Sequence, residues 1–181
     1  QHDRNPFNYH MHGVSLKYDF APSERTVFSA RFSATPTSSS NRIMGTMSDN
    51  ILGEYDMKSR NSSRDFTPSL DMFLRHDFNA KNSLEVQVVG TLSSSDYRRD
   101  NNYNLNSDDD LQYINDINNR RRSLISEVSY VHNFDQSTSL SGGVQNSVSH
   151  NTNEYLGQNF KPVLTDNNNY IYARFAKQIN R

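Results

Sequence analysis

Few residues in this chain have both the type and the spacing for chemistry. His10 and His12 lie two apart, so on an extended strand both imidazoles share one face, and His2 is near in sequence. Two imidazoles make only part of a metal site. No third ligand follows at fixed spacing, so the expectation is surface or interface histidines and no metal. Ser107-Asp108-Asp109-Asp110 with Asp116 offers oxygen ligands for calcium. Without the glycine and terminal glutamate of a calcium loop, it reads as a solvated acidic segment. Aromatic and cationic residues in company are more informative: Tyr97, Arg98, Arg99, Tyr103 and Tyr113 in one segment, and Tyr55, Arg60 and Arg64 in another. Tyrosine faces stack on rings and guanidinium forks grip carboxylates. These eight are therefore the candidate ligand-binding residues, suited to a sugar or an anionic chelate.

The chain is expected not to be an enzyme and to carry no cofactor. It has no nucleophile elbow, zinc-binding helix motif, Walker loop or dinucleotide glycine fingerprint. Gly142-Gly143 lies inside an apolar strand pattern, where close packing or a bend accounts for it. With no cysteine, thiol catalysis, iron–sulfur ligation and disulfides are excluded. With 19 Lys+Arg against 20 Asp+Glu, the net charge of −1 leaves no electrostatic footprint for nucleic acid.

The elements that must position these residues are strands. Across 181 residues only 33% are hydrophobic and mean hydropathy is −0.88, values near those of disordered chains. Yet 11% are aromatic, and they sit in ordered alternations. No run approaches the roughly 18 to 20 apolar residues of a membrane helix, whereas a membrane β-strand needs only about five, one at every second position. Val14, Leu16, Tyr18 and Phe20 alternate with Ser15, Lys17 and Asp19. Phe28, Ala30, Phe32 and Ala34 alternate with Ser29, Arg31, Ser33 and Thr35. Leu70, Met72, Leu74, His76 and Phe78 repeat the pattern with Phe73 as an exception, as do Leu84, Val86, Val88, Gly90 and Leu92 with Val89 as another. Residues 124–134, 140–148 and 170–179 continue it in weaker form. The sum is about seven strands of roughly 9 to 13 residues.

Connections alternate in length. Short polar turns are expected at residues 21–25, 79–82 and 135–138, and long polar loops at 36–65, 93–122 and 150–169. Leu111, Ile114 and Ile117 stand at helical spacing, so the middle loop is expected to hold a short helix. Confining every long connection to one end is a property of outer-membrane barrels, with short periplasmic turns and long extracellular loops. Each short turn is preceded by a similar triplet: Tyr18-Asp19-Phe20, His76-Asp77-Phe78 and His132-Asn133-Phe134. The phenylalanines then belong to an aromatic girdle, and Lys17, Asp19, Arg31, Asp71, Arg75, Asp77, Glu85 and Glu127 line a wet interior.

With this unit in hand, the chain resembles the barrel region of TonB-dependent outer-membrane receptors, especially the outer-membrane β-barrel proteins of Bacteroidota. The residues carrying the resemblance are Gly13-Val14-Ser15-Leu16-Lys17-Tyr18-Asp19-Phe20 before Pro22, Arg75-His76-Asp77-Phe78-Asn79-Ala80-Lys81-Asn82-Ser83-Leu84, and Asn169-Tyr170-Ile171-Tyr172-Ala173-Arg174-Phe175. The resemblance covers nearly the whole chain and rests on a style of alternation and turns. It implies an all-β, antiparallel transmembrane barrel segment, incomplete, with the plug, TonB box and remaining strands elsewhere. It implies location in the cell outer membrane and import of a scarce ligand such as a siderophore or glycan. The implied partners are membrane lipid, the ligand, TonB through the rest of the receptor, and a surface lipoprotein. Two alternatives are kept: a small complete barrel of structural or adhesive role, its eighth strand near residues 5–10, and a secreted glycan-binding sandwich. The first reading expects one tilted sheet with Val14, Leu16, Tyr18, Phe20, Phe28, Phe32, Leu70, Leu74, Val86 and Val88 on its convex side and no core packed against them.

Overall fold

In the computed structural model, which describes residues 6–50, 53–104 and 111–178, each apolar alternation is a strand, and most strands run well past it. The elements are β1 (Phe7–Met11), β2 (Val14–Ser23), β3 (Thr26–Asp49), β4 (Gly53–Asn79), β5 (Asn82–Asn104), β6 (Leu111–Asn133), β7 (Thr138–Leu156) and β8 (Val163–Lys177). All lie in one antiparallel sheet. From β3 to β8 each strand pairs with its sequence neighbour, while β1 and β2 both pair with β3.

β1 and β2 are one strand with a gap. Met11 lies opposite Thr37 and Val14 opposite Ala34, with no slip in register between them. The His12 N–H still donates to the Pro36 carbonyl at 3.1 Å. Pro36 has no N–H to return, so the ladder lapses there. Pro68 on β4 has the same effect, since pairing with β5 skips from Phe66 to Ser69. The sheet is therefore seven strands wide. A strand does form near residues 5–10, but it adds no width. Among the described residues β1, β2 and β8 keep one open side each, so no closed eight-stranded barrel forms.

Two expectations are corrected. The segments expected as long loops, 36–65, 93–122 and 150–169, are largely strand, so β3 to β8 run 15 to 27 residues rather than 9 to 13. Polar residues on both faces erase the hydropathy alternation, but the ladder needs only backbone, and Ser, Thr and Asn side chains bond across it. The helix expected at Leu111, Ile114 and Ile117 is also strand: Leu111 pairs with Tyr103, Ile114 with Asp100 and Ile117 with Tyr97. A ready-made edge on β5 outweighs a weak helical spacing. Ser107 to Asp110 and His2 fall outside the described residues.

The two faces of the sheet differ in kind. Phe20, Phe28, Leu74, Val86, Val128, Val144 and Ile171 stand opposite one another in a single row across seven strands. The ten residues named above share that face. Among the described residues no hydrophobic side chain is buried, and Ile171 is 87% exposed. The exceptions Phe73 and Val89 point to the other, polar face, opposite Ser29 and Asp71.

The upper limit of this apolar band is slanted. On β4 it reaches Phe66, while on β7 it stops at Val148, in the row of Leu124, Gly90 and Leu70, four residues lower. Four residues rise about 14 Å, and three strand spacings span about 14 Å, so strands cross the band at about 45°. That is the tilt of strands in a membrane barrel.

At the short-turn end the repeated triplets build one device. Tyr18 stacks on Phe20 at 6.3 Å, while His76 meets Phe78 edge-on at 5.0 Å and His132 meets Phe134 at 4.7 Å. The middle residues turn to the polar face, where Asp19 binds Lys17 at 2.7 Å and Asp77 binds Arg75 at 2.9 Å. The turns between these strands are short, as expected.

Candidate functional site

The eight candidate ligand residues lie on the long-strand end of β4, β5 and β6, and strand alternation divides them between the faces. Tyr55, Tyr97, Arg99, Tyr103 and Tyr113 point to the polar face. Arg60, Arg64 and Arg98 point to the face that carries the apolar band lower down. The registers are unbroken from the band to these residues, so the parity carries through.

The polar-face group forms an aromatic wall. Tyr55 and Tyr103 meet edge-on at 6.1 Å. Tyr9, Ser39, Ser63, Tyr97, Ile117 and Tyr155 make one row across six strands. Phe7 stacks on Tyr9 at 6.5 Å, and Tyr155 packs on Phe160 at 5.7 Å. The Tyr55 hydroxyl donates to the Met47 sulfur at 3.8 Å. Phe7, Tyr9, Met47 and Tyr155 join this face without a hydropathy signal, because the strands here carry polar residues on both sides. Continuing the odd–even count through the polar segments places each of them.

Below this wall lies a collar of hydroxyls. Ser33 bonds Ser69 at 2.7 Å, and Asp65 accepts from Ser63 at 2.8 Å and Thr37 at 3.2 Å. Lower still, Lys17, Asp19, Arg31, Asp71, Arg75, Asp77, Glu85 and Glu127 all face this side. Arg75 reaches both Asp77 and Glu85, at 2.9 and 3.5 Å. Lys17–Asp19 and Arg75–Asp77 pair along one strand and Arg75–Glu85 pairs between two, so charges of both signs are matched on this wet face.

The other three arginines line a separate cleft of about 680 Å³ with Asp96, Asp116 and His10. Arg98 reaches Asp116 at 3.6 Å, and Arg60 and Arg64 stand opposite Asp100 and Asp96. His10 and His12 share a face as expected, and no group of three metal-ligating side chains occurs among the described residues.

A single tilted sheet, apolar on one face and wet on the other with its aromatic wall at the long-strand end, is the fold of an outer-membrane barrel wall. Three solved structures share this fold over nearly the whole chain. The ferric citrate transporter FecA superposes with a TM-score of 0.72 at 10% identity, over 97% of this chain and 26% of its own. The ferric yersiniabactin uptake receptor FyuA from Yersinia pestis gives 0.56 at 11% identity, over 94% and 26%. BauA, the ferric preacinetobactin receptor from Acinetobacter baumannii, gives 0.59 at 10% identity, over 94% and 29%. The chain thus corresponds to a little over a quarter of each receptor, and at this identity the likeness is one of fold. No protein-family model and no curated protein matches the sequence.

Proposed function

We propose that this chain is a wall segment of a TonB-dependent outer-membrane receptor that imports a scarce ligand, and that it is not itself an enzyme. The observation that carries this reading is the unburied apolar row from Phe20 to Ile171, crossed by strands at a membrane-barrel tilt. In water such a face would need a second layer; in lipid it needs none. The same observation favours this reading over a glycan-binding sandwich, which requires a second sheet.

The segment's part in uptake is the polar-face wall of Tyr55, Tyr97, Arg99, Tyr103 and Tyr113, together with Tyr9 and Tyr155. It offers stacking faces and one guanidinium to a ferric chelate or an oligosaccharide entering from outside. The three solved proteins named above are a ferric citrate transporter, a ferric yersiniabactin uptake receptor and a ferric preacinetobactin receptor, which makes a ferric chelate the first class to try. TonB engages through other parts of the receptor, and a surface lipoprotein is a further partner.

The test is growth of a host expressing the complete reading frame. Ferric citrate, ferric catecholate and maltooligosaccharide are supplied in turn as sole source of iron or carbon. Growth on one of them that disappears when TonB is deleted supports the proposal. Recovery of the protein in the soluble fraction of lysed cells defeats it.

A further inference from the structure

We propose that Arg120, Arg122 and His150 form a binding patch for a phosphate-bearing lipid headgroup at the rim of the apolar band. The inference rests on the membrane reading above, and its observations are separate from the ligand wall. The run Arg120-Arg121-Arg122 crosses the sheet on β6, so Arg120 and Arg122 point to the apolar-band face and Arg121 to the polar face. Arg122 lies between Leu92 on β5 and His150 on β7, immediately above Leu124 and Val148, where the band ends.

All three arginines are exposed, and neither Arg120 nor Arg122 has an acidic partner among the described residues. In the two rows that close the band, the charged and titratable side chains are Arg120, Arg122, His150 and His12, with no carboxylate. Acids return only one row higher, at Asp96 and Glu154, and Lys161 already sits 3.4 Å from Glu154. His150 is steadied by Thr165 at 2.9 Å. The Cα atoms of Arg120 and Arg122 are about 7 Å apart along one strand, and both side chains leave it on the same face, at the depth where acyl chains give way to headgroups. That geometry suits a phosphate at the head of a lipid, since each fork can grip two oxygens while the chains lie on Leu124, Leu92 and Val148. A protein partner fits less well, because the patch continues directly into the lipid-covered band.

The test uses the complete receptor in phosphatidylcholine nanodiscs supplied with bisphosphorylated lipid A, with retained lipid A counted by native mass spectrometry. The wild type and Arg121→Gln retain it equally, while Arg120→Gln/Arg122→Gln retains about tenfold less. Lipid A stripped of phosphate is retained no better by the wild type than by the double variant, and millimolar inorganic phosphate does not displace the bound lipid. Equal retention by the double variant, equal loss in Arg121→Gln, or displacement by inorganic phosphate overturns the proposal. A receptor that enters nanodiscs but shows no preference refutes this patch alone, whereas one that does not enter them refutes the membrane reading itself.

Discussion

Tyr172 on β8 stands directly opposite Gly143 on β7 and reaches across it, its hydroxyl donating to Glu127 on β6. The glycine is what makes the reach feasible. A Cβ at position 143 would stand 2.8 Å from that hydroxyl, 2.9 Å from the Ser129 Cβ and 2.7 Å from the Val128 carbonyl. An aromatic laid over a strand glycine ties three strands together and pins the register of β8.

Gly143→Ala is therefore expected to destabilise the intact barrel by about 1–3 kcal/mol, the range for overpacking a tight site. Tyr172→Phe, which loses only the bond to Glu127, is expected to cost about 1 kcal/mol. Urea unfolding in lipid vesicles measures both. Gly142→Ala is the control, since its nearest contact would be an ordinary 3.5 Å. An equal loss at positions 142 and 143 would refute the crossing.

Val88 lies midway along the apolar stretch of β5, and the adjacent Gln87 faces the wet side. Val88→Arg is expected to cost about 2–4 kcal/mol in a bilayer, the penalty for an arginine near its midplane. Gln87→Arg is expected to stay within about 0.5 kcal/mol. Reversal of that order in vesicle unfolding would invert the assignment of faces.

In the turn after β6, the Ser137 hydroxyl and amide both donate to Asp135, at 2.8 and 2.7 Å, and hold its carboxyl below the ordinary 3.8. A depressed carboxyl stabilises the fold fully above its unfolded value, and that stabilisation is lost as pH falls through the lower folded value. The difference in unfolding midpoint between wild type and Asp135→Asn should thus hold steady from about pH 6 to about pH 5 and shrink below 3.8. A difference that grows on acidification contradicts this.

Tyr97 and Arg99 face the interior of the proposed receptor, and Arg98 between them faces outward. Tyr97→Ala and Arg99→Ala are each expected to weaken uptake of the supporting ferric chelate or oligosaccharide about tenfold, as loss of an aromatic or arginine anchor does. Arg98→Ala should leave uptake unchanged. Loss at all three positions would point to a general disturbance of the strand.

Much of this architecture is legible in the residues themselves. The row from Phe20 to Ile171 announces itself because an apolar face backed by a polar one imposes a two-residue period. The triplets ending in Phe20, Phe78 and Phe134 mark the short turns for a related reason, since girdle aromatics return at each hairpin. Where Thr35 gives way to the polar run ending at Asp65, both faces carry polar residues and the period vanishes, although the backbone ladder continues.

Sequence alone thus determined which side chains lie in the apolar band, where the chain reverses at the short end, and that the strands form the wall of a barrel. Only the tertiary structure decided how far the strands extend, that Arg60, Arg64 and Arg98 part company with the tyrosines, and that Tyr172 spans Gly143 to Glu127. The physical reason is register. Alternation tells a residue which face it takes, but its neighbours across the sheet depend on how one strand slides against the next, and that is set by every pair along the ladder at once.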